Sequence, residues 1–113
     1  MSVPPEGYRR LVEAFLAGRA SANTRTAYRR DLAVLAHALA IETESRPDQV
    51  VFGVEEDVLA KEAARELSRL PAEWWQHWRD GLEGTAASRR RRVAGVRAFC
   101  RWWSTMFALT NPV

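Results

Sequence analysis

A run of arginines near the carboxyl end of the chain has the residue type and spacing needed to bind an anionic polymer. Four consecutive arginines at 89 to 92 precede Arg97 and Arg101. At about 100° per residue, Arg90, Arg97 and Arg101 share one helical stripe. Ala94 lies in the middle of that stripe, and its small side chain lets a helix approach a ligand closely. Since guanidinium groups pair well with phosphate and guanine, the pattern predicts contact with the backbone or major groove of duplex DNA.

A second basic group lies near the start of another predicted helix. Arg25, Arg29 and Arg30 follow small polar residues of the kind that cap a helix N-terminus. The free amides of such a terminus also hold phosphate, which adds Thr24 and, in the later helix, Ser88 as candidates. The predicted DNA ligands, in which Arg89 and Arg91 are weaker neighbours of the stripe, are Thr24, Arg25, Arg29, Arg30, Ser88, Arg89, Arg90, Arg91, Arg97 and Arg101. Arg92 is a further weak neighbour.

The distribution of charge decides between binding and mere solvation, because either basic group alone also fits an ordinary solvated helix face. Residues 1–41 carry a net charge of +3, residues 42–83 carry −6, and residues 84–113 carry +6 with no acidic residue at all. A helix that is only solvated usually mixes both signs. Two basic ends around an acidic middle therefore favour an anionic partner that both ends hold.

Apolar periodicity predicts an all-α fold, a compact bundle of four to five helices in a single domain of residues 1–113. The only β-prone run is Gln49–Phe52. Five helices are predicted: one that ends at Gly18, one from Ser21–Thr24 to about residue 41, one from about Glu55 to Leu70, one from Ala72 to Leu82, and one from Thr85 to about Phe107. A loop is predicted from Ile41 to Gly53.

The aromatic residues are assigned mainly to the core. Trp74 and Trp78 are one turn apart and are predicted to pack inward, whereas Trp75 and Trp102 are candidates for a second apolar surface. His37 lies in an apolar run and is predicted to be a buried imidazole. The last helix is predicted to bury its side chains at spacings of three and four, namely Val93, Val96, Cys100, Trp103 and Phe107.

Several protein classes are excluded. A chain of 113 residues is too short for a large multidomain enzyme. No apolar run reaches the roughly 20 residues of a membrane span, and no signal-peptide pattern is present, so a cytoplasmic protein without a membrane partner is expected. Cys100 is the only cysteine, which excludes an internal disulfide and a multi-cysteine zinc site. Tyr8 and Tyr28 fall on apolar stripes and no catalytic motif occurs, so no catalysis, cofactor or metal is expected of this chain.

Two segments and the end of the chain together resemble a known family. Ser21–Leu32 resembles the opening of the second helix in the N-terminal core-binding, or SAM-like, domain of tyrosine recombinases, the group of phage integrases and Xer-type enzymes. Ser88–Trp103 is similar to the last long helix of that domain. Asn111 and Pro112 resemble the exit into the family's catalytic domain. The resemblance covers about half of the chain in the family's order.

The resemblance implies a helical bundle that closes a clamp around double-stranded DNA together with a catalytic domain. The helices that match residues 24–41 and 85–104 would face the DNA. The catalytic Arg, His and Tyr residues would belong to a C-terminal domain absent from this chain. The implied partners are DNA, that catalytic domain and a second copy of the chain on DNA. Val50–Leu70 is longer and more acidic than the family's usual connection, and Ser88 stands where a Thr is common.

Two alternatives remain open at the level of sequence. A stand-alone helix-turn-helix regulator requires two helices joined by a tight turn, the second of them a short basic helix. The long helix after Thr85 does not fit that role. A protein-interaction module would use the tryptophan-rich helix to dock a partner, and the arginines would only keep the chain in solution.

Overall fold

Five helices and no strand make up the part of the chain that the computed structural model describes, residues 2–42 and 56–113. The helices are α1 (Pro5–Ala17), α2 (Ala22–Ala38), α3 (Val58–Arg69), α4 (Ala72–Asp80) and α5 (Ala86–Phe107). The Cα radius of gyration is 13.2 Å, close to the roughly 13 Å of a compact 100-residue domain. The predicted all-α bundle is confirmed. The predicted β-prone run Gln49–Phe52, the part of the predicted loop beyond Glu42, and Glu55 lie outside the described residues.

Short-range caps set the helix boundaries. The Ser21 hydroxyl accepts from the Thr24 amide at 3.4 Å, and the Thr85 hydroxyl accepts from the Ser88 amide at 3.1 Å. These two contacts start α2 and α5 where the sequence predicts them, because a side-chain oxygen replaces the missing helical acceptor of the first turn.

The end of α2 lies earlier than predicted, at Ala38 rather than near residue 41. Ala40 adopts a left-handed φ of 59°, and the Ile41 amide donates back to the Ala36 carbonyl at 2.9 Å. This reversal satisfies the last carbonyls of the helix and brings Ile41 into the core. Because Ile41 is apolar and buried, the apolar pattern in the sequence continues beyond Ala38, where the helix ends.

α1 packs on α3 through small side chains. Ala60, Ala63 and Ala64 of α3 are completely buried, and Gly7 of α1 lies beside Ala63. A Cβ atom at Gly7 would collide with the backbone oxygen of Leu59, so this crossing requires glycine.

Aromatic rings from three helices fill the centre of the core. Phe15 makes edge contacts with Tyr28 at 5.2 Å and with Phe99 at 5.5 Å between ring centroids. Tyr8 is buried, and its hydroxyl donates a 2.6 Å hydrogen bond to the Leu32 carbonyl. The predicted core face of α5 is also confirmed, since Val96, Cys100 and Trp103 are fully buried while Val93 and Phe107 pack at its edge.

The placement of the tryptophans on α4 is reversed from the prediction. Trp75, predicted to lie on a second apolar surface, is 1% exposed, whereas Trp74 is only half-buried. The prediction continued the apolar stripe of α3 across Pro71. Leu70 and Pro71 are both extended, with ψ of 130° and 157°, so the helical phase is not carried from α3 into α4. Trp78 is buried as predicted.

Two further predictions are corrected or refined. His37 is exposed, because it lies on the side of α2 opposite the buried Leu32 and Leu35, so an apolar neighbourhood in sequence did not indicate its face. Trp102 is half-buried and stacks on Phe99 with ring centroids 6.5 Å apart.

Candidate nucleic-acid interface

The two helices that carry the predicted DNA ligands pack directly against each other. α2 and α5 come from opposite ends of the chain and form one of its main helix contacts. Gly95 of α5 marks the crossing, where a Cβ atom would collide with the carboxylate of Asp31 on α2. Glycine at this position therefore allows the close approach that sets α2 beside α5.

An open groove of about 380 Å³ runs between these two helices. Its walls combine small apolar residues with a few polar groups, and it is lined by Asn23, Thr24, Ala27, Tyr28, Asp31, Arg91, Ala94 and Gly95. Thr24 and Arg91, predicted as DNA ligands from distant parts of the sequence, thus border one concave surface.

The arginine stripe of α5 is exposed along its length. Arg90, Arg97 and Arg101 are all exposed, and none forms an ion pair with the residues that the structure describes. Ala94 is exposed as well and belongs both to this stripe and to the groove. The groove and the stripe therefore form one continuous surface, referred to below as the basic face.

The arginines of α2 do not all share that face. Arg29 forms an ion pair with Glu13 of α1 at 2.6 Å, and Arg25 donates to the Arg19 carbonyl at 2.6 Å. Both side chains are turned toward the α1 side of the helix. Arg30 is exposed and has no ion pair within the described residues. Arg30 is therefore the predicted α2 arginine whose charge is available to a ligand.

The remaining predicted ligands lie at the helix starts. Arg89 and Arg91 are exposed, whereas Ser88 is half-buried. The amides of Thr24 and Ser88 already donate to the capping hydroxyls, so their own side-chain hydroxyls are what they offer to a phosphate.

Asp31 is not among the predicted DNA ligands, but it lies in the contact between α2 and α5. It is 3% exposed, and its Oδ1 lies 3.5 Å from Nε of Arg92, at ion-pair distance but without hydrogen-bond geometry. Burial raises the pKa of Asp31, while the nearby charges of Arg91 and Arg92 lower it. The signal was present in the sequence, since Asp31 falls on the stripe that joins Tyr28 to Leu35.

Two groups that could act as nucleophiles, Cys100 and Tyr8, are buried in the core. Burial raises the pKa of the Cys100 thiol to about 12. Burial also raises the pKa of Tyr8 well above its ordinary value. Both groups are therefore protonated at neutral pH and serve packing.

Comparison with known proteins does not assign the chain to a family. No family model, no curated protein and no solved structure matches the chain. Among the described residues, no helix is both long and apolar enough to cross a membrane.

Proposed function

We propose that this chain binds duplex DNA in a sequence-specific manner through its basic face and that it performs no catalysis itself. The observation that carries the proposal is the position of Ala94, which makes the α2–α5 groove and the arginine stripe one surface. The small side chain of Ala94 among exposed guanidinium groups allows α5 to approach a phosphate backbone closely.

The dimensions of α5 fit a duplex. The stripe from Arg90 to Arg101 extends for about 16 Å at 1.5 Å per residue. A single helix fits the major groove of B-DNA, which is about 12 Å wide. α5 carries no acidic residue along its 22 residues, so nothing on the helix itself repels phosphate.

The resemblance to the core-binding domain of tyrosine recombinases extends the proposal to the partners. In that arrangement a catalytic domain closes on the opposite side of the DNA, and further copies of the chain occupy neighbouring sites. Binding by this chain alone is then weak, because a two-part clamp divides its affinity between the halves. The same function places the protein in the cytoplasm with access to DNA.

The experiment is a titration of a fluorescent duplex with the chain over a range of salt concentrations. Neutralising four to six phosphates gives a slope of log affinity against log salt of about −4 to −5. Charge reversal by Arg97→Glu or Arg101→Glu is expected to reduce affinity at least about tenfold, since a favourable phosphate contact becomes a repulsive one. Circular dichroism checks that each variant keeps its helices.

Arg65→Glu is the matched control, because Arg65 is exposed on α3 and the substitution changes the net charge by the same amount. We expect it to weaken binding far less than either α5 variant. Equal losses in all three variants would show a diffuse charge effect without a defined face. Unchanged DNA binding in the α5 variants, or a salt slope near zero, would favour the protein-interaction module instead.

A further inference from the structure

Two adjacent arginines of α5 have different environments. Arg91 is exposed and lines the α2–α5 groove. The side chain of Arg92 is only 25% exposed, its Nε is buried, and that atom lies 3.5 Å from Oδ1 of Asp31. Consecutive residues of a helix are rotated by about 100° from each other, so Arg91 faces the groove while Arg92 is turned into the contact between α2 and α5.

The fold holds the Asp31 carboxylate where it can act on both arginines. Gly95 lets α5 approach α2 so closely that the carboxylate lies against the helix backbone. Oδ1 of Asp31 accepts no hydrogen bond from any described residue, and Nε of Arg92 lies at ion-pair distance from it. The charge of Arg91 also acts on Asp31, since it lowers the pKa of that carboxyl. A carboxylate that is buried without hydrogen bonds is costly unless a cation compensates it.

The guanidinium groups of Arg91 and Arg92 therefore have different roles. Arg92 compensates the buried charge and is thereby withheld from an external anion. Arg91 is attracted by the same carboxylate but keeps its side chain at the groove, where a phosphate has access to it.

We propose that Asp31 is a positioning residue of the basic face, which retains Arg92 in the α2–α5 interface and leaves Arg91 as the DNA-facing cation of the groove. This inference rests on the proposed function. It assigns Arg91 a phosphate contact and removes Arg92 from the set of DNA ligands. It also states that the positive charge of Arg92 becomes available to DNA only when Asp31 loses its negative charge.

Salt titrations of four variants on the labelled duplex test the DNA side of the inference. Arg91→Gln is expected to reduce the magnitude of the salt slope by about 1, since one phosphate contact is lost. Arg92→Gln is expected to leave the slope unchanged. Asp31→Asn is expected to increase it by about 1, because Arg92 is released. In the double variant Asp31→Asn/Arg92→Gln the slope returns to the wild-type value.

Glu62→Gln is the matched control for Asp31→Asn, since it removes one negative charge from an exposed position on α3. Its slope is expected to stay at the wild-type value. An equal increase in both variants would overturn the inference, because net charge alone would then explain the effect. If Asp31→Asn does not fold, the contrast between Arg91→Gln and Arg92→Gln decides: equal slopes in those two variants also overturn it.

A second measurement needs no DNA. In the nuclear magnetic resonance spectrum of the free chain, the Nε–H signal of Arg92 is expected to exchange slowly with water, and Asp31→Asn is expected to remove that protection. An unprotected Arg92 signal in the wild-type chain would overturn the positioning role whether or not DNA binds. A protected signal that Asp31→Asn removes, together with no salt-dependent DNA binding, would overturn the proposed function and the DNA-facing role of Arg91, while Asp31 would still be shown to hold Arg92. Protection that persists in Asp31→Asn would overturn the positioning role, because burial alone would then explain it.

Discussion

The α1–α3 and α2–α5 contacts share three residue types. They differ in how many hydrogen bonds the aspartate of each contact accepts. Each contact has a glycine where a Cβ atom would collide with the opposite helix, an aspartate, and an arginine beside it. Asp57 accepts from the amides of Leu59 and Ala60 and from Nε of Arg10 at 2.6 Å. Asp31 instead faces Arg92 at 3.5 Å without a hydrogen bond.

The difference separates a contact that leaves no groove from one beside which a groove stays open. At α1–α3, Gly7 meets the Leu59 backbone and the Ala63 side chain, and Ala60, Ala63 and Ala64 are completely buried. At α2–α5, Gly95 meets a charged side chain, and a groove remains open beside it. The fully satisfied Asp57 stabilises its contact, whereas the incompletely satisfied Asp31 lies beside a groove that Arg91 lines.

The most destructive change should be Gly7→Ala. The added methyl group would overlap the Leu59 backbone, which can move only with the whole of α3, so we expect a loss of about 2–4 kcal/mol in the free energy of unfolding. Urea denaturation followed by circular dichroism measures it. Gly18→Ala is the control, because its Cβ atom would make only an ordinary 3.5 Å contact with the Phe15 carbonyl. Similar stabilities of the two variants would show that α1 and α3 do not cross at Gly7.

Asp57→Ala should cost less, about 1–2 kcal/mol in the free energy of unfolding, because it removes the N-cap of α3 together with the ion pair to Arg10. Glu13→Gln, which breaks the more exposed pair with Arg29, is expected to cost at most about 0.5 kcal/mol. Denaturation of both variants under the same conditions checks the ranking. The reverse order would contradict the view of Asp57 as the more fully satisfied carboxylate.

Gly95→Ala should have a smaller effect than Gly7→Ala, about 1 kcal/mol, since the atom it displaces belongs to a side chain and the helix gains from the alanine. The double variant Asp31→Ser/Gly95→Ala should be less destabilised than the sum of its single variants, because the smaller serine removes the collision. Strict additivity would mean that Asp31 and Gly95 do not meet.

The smallest effect should be a dependence of stability on pH that comes from Asp31. Its pKa is raised in the folded state, so its contribution to stability is fully present below the ordinary Asp pKa of about 3.9 and is lost as the pH rises through the folded value. Asp31→Asn should therefore gain stability relative to the wild-type chain as the pH rises across this window. A constant difference between the two chains would show that Asp31 does not titrate differently on folding.

Local signals in the sequence were sufficient for most of the fold. Ser21 and Thr85 cap their helices as their side-chain chemistry predicts, and the three-and-four spacing of α5 identifies Val96, Cys100 and Trp103 as buried. These features depend only on residues within a turn or two of each other. The failure at Trp75 has the complementary cause, because the phase of α4 depends on the extended backbone at Pro71.

The sequence was sufficient to predict which residue types form the candidate site, but not which way all of their side chains point. The exposure of the α5 stripe follows from helical periodicity alone. Arg29 is paired by Glu13 of α1, and Arg25 donates to the carbonyls of Arg19 and Ala20 in the connection between α1 and α2. Neither partner is close enough in the α2 sequence pattern to be predicted from it. The role of Asp31 depends on Gly95, more than sixty residues away, and no local pattern links the two.

The hydrogen bond from Tyr8 to the Leu32 carbonyl acts as a rotational lock between the two helix pairs. It joins a fixed point on α1 to a fixed point in the middle of α2, and the Tyr8 ring also meets Phe99 of α5. A twist of α2 around its own axis would break this directional bond inside the core, where no solvent replaces it. The angle between the two arginine-bearing helices, α2 and α5, is therefore set by contacts inside the core.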